Sequence, residues 1–160
     1  MEMSMLSLRP LERLAKFILR AALNRHPGIF DRLGHYARCR YLIDVKDTPF
    51  VLLLLPEEQD ILVYRRAKRI SADATIRGNF LTLARLAQGA GDGDALFFSR
   101  DIGIEGDTEA VLALRNALDD AALDIIEDGL EALGILGSPL RFGYKTFKGA
   151  RPIISGMFAP

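Results

Sequence analysis

The spacing of apolar residues along the chain switches between helical and strand periods several times. Residues 10–24, PLERLAKFILRAALN, put Leu11, Leu14, Ala15, Ile18, Ala21 and Ala22 on one side of a helix. Arg9, Arg13, Lys16 and Arg20 recur at intervals of four, three and four, which stacks them on the opposite side. Pro10 suits a first helical turn, where its missing N–H costs nothing. The pattern predicts a basic amphipathic helix, and a short helical stretch between Pro27 and Gly34 can follow it.

From Arg40 the period changes. Arg40 to Lys46 reads as a strand, Asp47-Thr48-Pro49 as a turn, and Phe50 to Leu55 as a strand apolar on both faces. Such a strand is expected where both sides of a sheet are covered. Pro56-Glu57-Glu58 makes the next turn and Ile61 to Arg65 a third strand. Ala72, Ala74 and Ile76 then alternate with Asp73, Thr75 and Arg77, the mark of a half-buried strand.

Gly78-Asn79 opens a short helix reaching Gln88, with Phe80, Leu83, Ala84 and Ala87 inward. A Gly/Asp-rich loop spans Gly89 to Asp94, and Ala95 to Phe98 and Asp101 to Glu105 read as strand. Asp107 can cap a last helix, which carries Val111, Leu114 and Leu118 on one face and continues or restarts through Ile126, Leu130 and Leu133. Helix, strands, helix, strands, helix is an α+β order. The expected architecture is a mainly antiparallel sheet of about five strands covered by helices on one face. Three regions are expected: a basic helical extension over 1–36, the main domain over 37–137 and a tail over 138–160.

Composition narrows the class without naming an activity. The chain has 160 residues, 49% hydrophobic and 26% charged, with zero formal net charge. That is one globular domain able to bury a core, with no overall field drawing it to nucleic acid. Its charge is nevertheless sorted, basic in the first quarter and from Arg141 to Arg151, acidic from Asp101 to Glu131. The basic ends can touch an anionic membrane locally. The longest apolar run, Phe50 to Leu55, is far short of the ~20 residues that span a bilayer. With no secretory leader in the N-terminal residues, a cytoplasmic protein with peripheral membrane contact is expected.

The segment from Ala72 to Leu118 carries a resemblance. Asp73-Ala74-Thr75-Ile76 and Ile102-Gly103-Ile104-Glu105-Gly106-Asp107 resemble two conserved pieces of the sterol carrier protein-2 domain family. In that family an Asp-x-Thr-Ile strand leads into a short helix under the sheet, and an Ile-x-Ile-x-Gly-Asp strand leads into a long one. The phrase from Ser99 to Glu109 is similar to its UbiT-type branch of ubiquinone-synthesis accessory factors. The likeness covers roughly residues 40–122.

The resemblance implies a hydrophobic cavity between sheet and helices that takes ubiquinone, a prenylated precursor or a phospholipid. It further implies delivery to oxygen-independent hydroxylases, the UbiU–UbiV type of partner, by a non-catalytic carrier that needs no cofactor and no metal. Leu53, Leu55, Phe80, Leu83, Phe97, Ile102, Ile104, Val111, Leu114 and Leu118 are the candidate wall, with Phe98 beside them. The same residues can equally form an ordinary packed core. A full polyprenyl tail exceeds a typical pocket of ~300–1,000 Å³, so part of it is expected to protrude or to use a second subunit of a homodimer. Arg9, Arg13, Lys16 and Arg20 are the candidate membrane contact; the alternative is a helix whose apolar face packs on its own domain.

Other chemistry finds little support. His26 and His35 lie nine residues apart and match no zinc spacing. Ser99 lacks the Gly-x-Ser-x-Gly elbow, and Gly89 to Gly93 lacks the Lys-Ser/Thr of a phosphate loop. Cys39 is alone and reads as a structural thiol. Asp101 with Glu105, and Asp119 with Asp120, read as solvated carboxylates. An enzyme would need converging polar groups, for which Arg77, Ser99, Arg100 and Asp101 are the one candidate cluster. A ligand-free membrane scaffold is the other rival. The tail from Arg141 to Lys148 interleaves bases with aromatics, a pattern suited to packing on the domain or a partner, or to a nucleic-acid or membrane surface.

Overall fold

A computed structural model describes residues 8–87, 95 and 99–120. The expectations for Gly89 to Asp94, Phe97 and Phe98, the continuation through Leu133 and the tail from 138 lie outside the described residues.

Helix α1 spans Arg9–Arg25, with proline in its first turn. A 3₁₀ segment over Phe30–Arg38 follows, kinked at Gly34 (φ 55°), so helical turns run past the glycine expected to end them. Strands β1 (Tyr41–Val45), β2 (Phe50–Leu55) and β3 (Asp60–Arg65) come next. The chain then forms β4 (Ala74–Gly78), α2 (Phe80–Ala87), β5 (Gly103–Gly106) and α3 (Thr108–Asp120).

The five strands make one sheet in the order β3-β2-β1-β4-β5. Three neighbouring pairs are antiparallel, and β1 with β4 is parallel. Short turns produce the meander. Thr48 N–H closes the first onto the Val45 carbonyl (3.0 Å), and Gln59 N–H the second onto Pro56 (3.0 Å). The parallel pair needs a crossover, because β4 lands beside β1 and not beside β3. Asp73 fixes that landing: its carboxylate accepts Arg40 N–H at 2.7 Å and its own N–H reaches the Arg40 carbonyl at 3.0 Å.

The two sequence phrases that carried the resemblance meet in space. Asp107 N–H donates to the Asp73 carbonyl (2.9 Å), and Asp107 Oδ1 accepts Ala110 N–H (3.0 Å) as the cap of α3. Between them Gly106 has φ +82°, and a Cβ there would lie 2.3 Å from the Asp73 carbonyl oxygen. Only glycine suits both the backbone conformation and the space.

Register decides which strand residues face the helices. Ile43 pairs with Leu52 and with Ile76, and Tyr41 with Leu54 and Ala74. These residues share, with buried Ile61, the sheet face that α2 and α3 cover, and buried Val111 and Leu114 of α3 belong to the same core. Tyr41 is fully buried, its hydroxyl shared between the carbonyls of Tyr36 (2.9 Å) and Ala110 (3.3 Å). Burial raises its pKa well above the usual 10.0.

Candidate lipid cavity

Helix α1 lies along the free edge of β3 and is tied there by polar side chains. Glu12 Oε2 accepts the Val63 N–H (3.2 Å), a donor that an edge strand would leave unpaired. Lys16 Nζ sits 3.0 Å from Asp60 Oδ2 and 3.5 Å from Glu12 Oε1. The hydrogen bond to Asp60 is the main cause that raises the Lys16 pKa above its usual value.

These ties set the rotation of the helix. Ala15, Ile18, Leu19, Ala22 and Leu23 turn inward, whereas Leu14 (37% exposed) and Phe17 (45% exposed) turn out. At 3.6 residues per turn, the inward stripe is rotated by about 60–70° from the centre of the face that apolar spacing predicts.

Between α1, the sheet, α2 and α3 lies a cavity of about 340 Å³. Ile43, Leu52, Leu54, Ile61 and Ile76 form its floor; Leu83, Leu86, Val111, Leu114 and Leu118 wall it opposite the strands. Its surface is almost wholly hydrocarbon. Arg115 also lines it, and its Nη2 lies 3.3 Å from Asp119 Oδ2. Phe80 lines the cavity and is also 59% exposed, which puts an apolar ring at its opening. Apart from Arg115, the described lining residues offer a ligand no side-chain hydrogen bond. The space takes up hydrocarbon at about 0.8 kcal/mol for each CH₂ removed from water.

Of the expected wall residues, Phe80, Leu83, Val111, Leu114 and Leu118 line the cavity. Leu53 and Leu55 do not. Successive strand side chains point to opposite faces, and the register hands the cavity to Leu52 and Leu54. Leu53 is fully buried on the other face. Ile102 is buried in the adjoining core and Ile104 packs against it, neither reaching the cavity. Phe97 lies outside the described residues. Ala15, Ile18, Leu19, Ala22 and Leu23 of α1 are wall residues that the sequence pattern assigns to no cavity. Their signal was the apolar spacing of the helix, which says that a face is covered and not by what.

Of the four expected membrane-contact cations, Arg9, Arg13 and Arg20 are exposed. Lys16 is instead engaged with Asp60 and Glu12, because the helix turns that side toward β3.

The candidate polar cluster does not converge on the cavity. Arg77 lies on the opposite sheet face, its Nε 2.8 Å from Asp44 Oδ2 and its Nη1 3.0 Å from Glu105 Oε1. Arg66 joins the buried Asp44 from the other side. Among the described residues no group of His, Cys, Asp and Glu could hold a metal ion, and no helix is long and apolar enough to cross a membrane.

Comparison with known protein families matches residues 19–119 to the SCP-2 sterol transfer family, a span that runs from the middle of α1 almost to the end of α3. The chain belongs to the SCP-2 sterol transfer family. SCP-2 domains carry lipids. Among solved structures it is similar to one titled "UbiJ-SCP2 Ubiquinone synthesis protein" (22% identity, TM-score 0.53, 76% of this chain and 95% of that one). It is also similar to sterol carrier protein domain 2 of Helicoverpa armigera (18% identity, TM-score 0.49, 69% and 86%). At 22% identity the likeness to the first of these is one of fold. No curated protein sequence matches the chain.

Proposed function

We propose that this SCP-2 family protein is a non-catalytic carrier of a lipid with a long hydrocarbon tail, serving ubiquinone synthesis. The observation that carries the reading is the cavity of about 340 Å³ whose described lining is apolar apart from Arg115. An apolar space of this kind rewards a tail and gives nothing to a polar group, so catalytic residues have no place in it. The volume lies at the low end of the ~300–1,000 Å³ usual for ligand sites. It holds one segment of a polyprenyl chain and leaves the rest, with the aromatic head, outside.

That orientation suits the ubiquinone reading. A prenylated precursor held by its tail presents its ring to an external hydroxylase, the role proposed here for UbiU–UbiV type partners. Similarity in fold to a ubiquinone-synthesis protein supports this pathway over sterol transfer.

The test is mass spectrometry of organic extracts from gently purified protein, against an unrelated protein from the same cells. Enrichment of a quinone or prenylated aromatic is the expected result. Phospholipid alone would keep the carrier and remove the quinone. No enriched lipid, even after incubation with candidate ligands, would favour a ligand-free scaffold.

A further inference from the structure

Of the three helices around the cavity, α2 is the shortest. Its eight residues bury Leu86 near the far end. Its first turn lies open, with Phe80 59% exposed and Leu81 48% exposed, although Phe80 also lines the cavity. A single helical turn with little buried surface opens at low cost, because few contacts are lost when it does.

The start of this turn is nevertheless pinned. The Phe80 N–H donates to Asp47 Oδ1 at 3.0 Å. Next to it, Asn79 Oδ1 accepts the Thr82 N–H (2.8 Å) and the Asn79 carbonyl accepts the Leu83 N–H (3.0 Å). Asp47 brings a negative charge to the positive end of the helix.

The support behind Asp47 is firm. It stands in the turn between β1 and β2, where Thr48 Oγ1 donates to the Val45 carbonyl (2.9 Å). Arg66 Nη2 reaches the Thr48 carbonyl at 2.9 Å, and Arg66 Nη1 pairs with buried Asp44. The Lys46 N–H meets the Gly78 carbonyl at 2.8 Å, which sets this turn beside the entry to α2. A stapled turn therefore holds a labile one through one carboxylate.

We propose that the first turn of α2 is the door of the cavity and that the Asp47 carboxylate is its latch. A hydrocarbon chain passes when Phe80 lifts away while the far end of α2 stays seated on Leu86. Asp47 is a positioning residue, which sets how often the door stands open. The passage of cargo rests on the carrier reading above; the opening of α2 does not.

The test compares the full chain with D47A and D47N in two measurements. Hydrogen exchange of the Thr82 and Leu83 amides is expected to quicken in D47A by about fivefold, the factor for a cap worth ~1 kcal/mol. The Val63 and Ala110 amides keep their rates. Stopped-flow fluorescence with cis-parinaric acid is expected to show uptake and release both faster by about that factor, with affinity within twofold of the parent. General loosening would instead speed release alone and weaken binding. D47N keeps an acceptor oxygen for Phe80 and is expected to stay close to the parent.

Unchanged α2 exchange in D47A, or quickening shared equally by Val63 and Ala110, would overturn the proposal. So would faster α2 exchange with unaltered probe kinetics, which would place the entry elsewhere, and so would a D47N as fast as D47A. A parent that binds no probe, with α2 exchange still quickened by D47A alone, would overturn the carrier reading and support the door.

Discussion

Val63 donates its backbone N–H to the Glu12 carboxylate across 3.2 Å, and this contact joins the amphipathic helix to the free edge of the sheet. A hydrogen bond to a charged acceptor contributes about 1.5–3 kcal/mol when well shielded, and Glu12 is one-third exposed. Glu12→Ala is therefore expected to destabilise the fold by about 1 kcal/mol, read by urea denaturation, and to speed exchange of the Val63 amide. An unchanged exchange rate would show that the Glu12 carboxylate does not protect the Val63 amide.

The strand register makes a sharper prediction from two adjacent leucines. Leu53→Ala is expected to cost roughly 2–5 kcal/mol of stability, as for a buried leucine, without changing ligand capacity. Leu54→Ala enlarges the cavity, so it also alters which chain lengths are retained. Denaturation midpoints and lipid-extraction profiles of the two variants separate the faces. Equal effects on ligand would mean that the register is wrong.

Gly106 permits no side chain. Gly106→Ala puts a Cβ against the Asp73 carbonyl oxygen in a left-handed conformation. The conformation alone costs about 1–2 kcal/mol, and the contact adds to it. A loss of roughly 2 kcal/mol or more in a urea melt is expected; a loss below 0.5 kcal/mol would mean that the β5–α3 corner relaxes freely.

Alkaline stability reports on Tyr41. Burial raises its folded-state pKa above the usual 10.0 of the unfolded chain. The folded protein then holds the proton more tightly, so this contribution is complete below pH 10 and declines as pH climbs toward the folded value. Melting temperature is expected to fall above pH 10, and less steeply in Tyr41→Phe. That variant begins about 1 kcal/mol less stable, having lost its bonds to Tyr36 and Ala110. Residual slope in it is expected from Tyr36 and Lys16, whose pKa values are raised by hydrogen bonds to Glu109 and Asp60. Identical slopes would remove Tyr41 from the account and leave the effect to other groups such as Tyr36, Lys16 and Cys39, whose thiol pKa burial also raises.

The sequence by itself determined most of the elements and their order, although Ala95, expected in a strand, is helical and the 3₁₀ turns run past Gly34. Apolar period marks α1, the Phe50–Leu55 strand and the alternation into Ile76; Asp107 announces the cap of α3, and Gly106 the corner before it. These are local matters of propensity, capping and backbone freedom, written in consecutive residues. Five of the ten expected wall residues line the cavity because they sit on helices or at a helix start, where one face is plainly apolar. Leu53 and Leu54 could not be told apart. Phe50 to Leu55 is apolar on both sides, and only pairing with β1 and β3 assigns a face to each. The parallel β1–β4 pair and the landing of Asp73 on Arg40 likewise join residues 33 apart. The rotation of α1 is the clearest case. Its spacing offered a single apolar face, but Val63 and Asp60 lie 51 and 44 positions from the groups that hold them, and they turned the helix until Leu14 and Phe17 faced out. Tertiary structure decided that, because unpaired donors and charges at a sheet edge draw partners more directionally than apolar surface can.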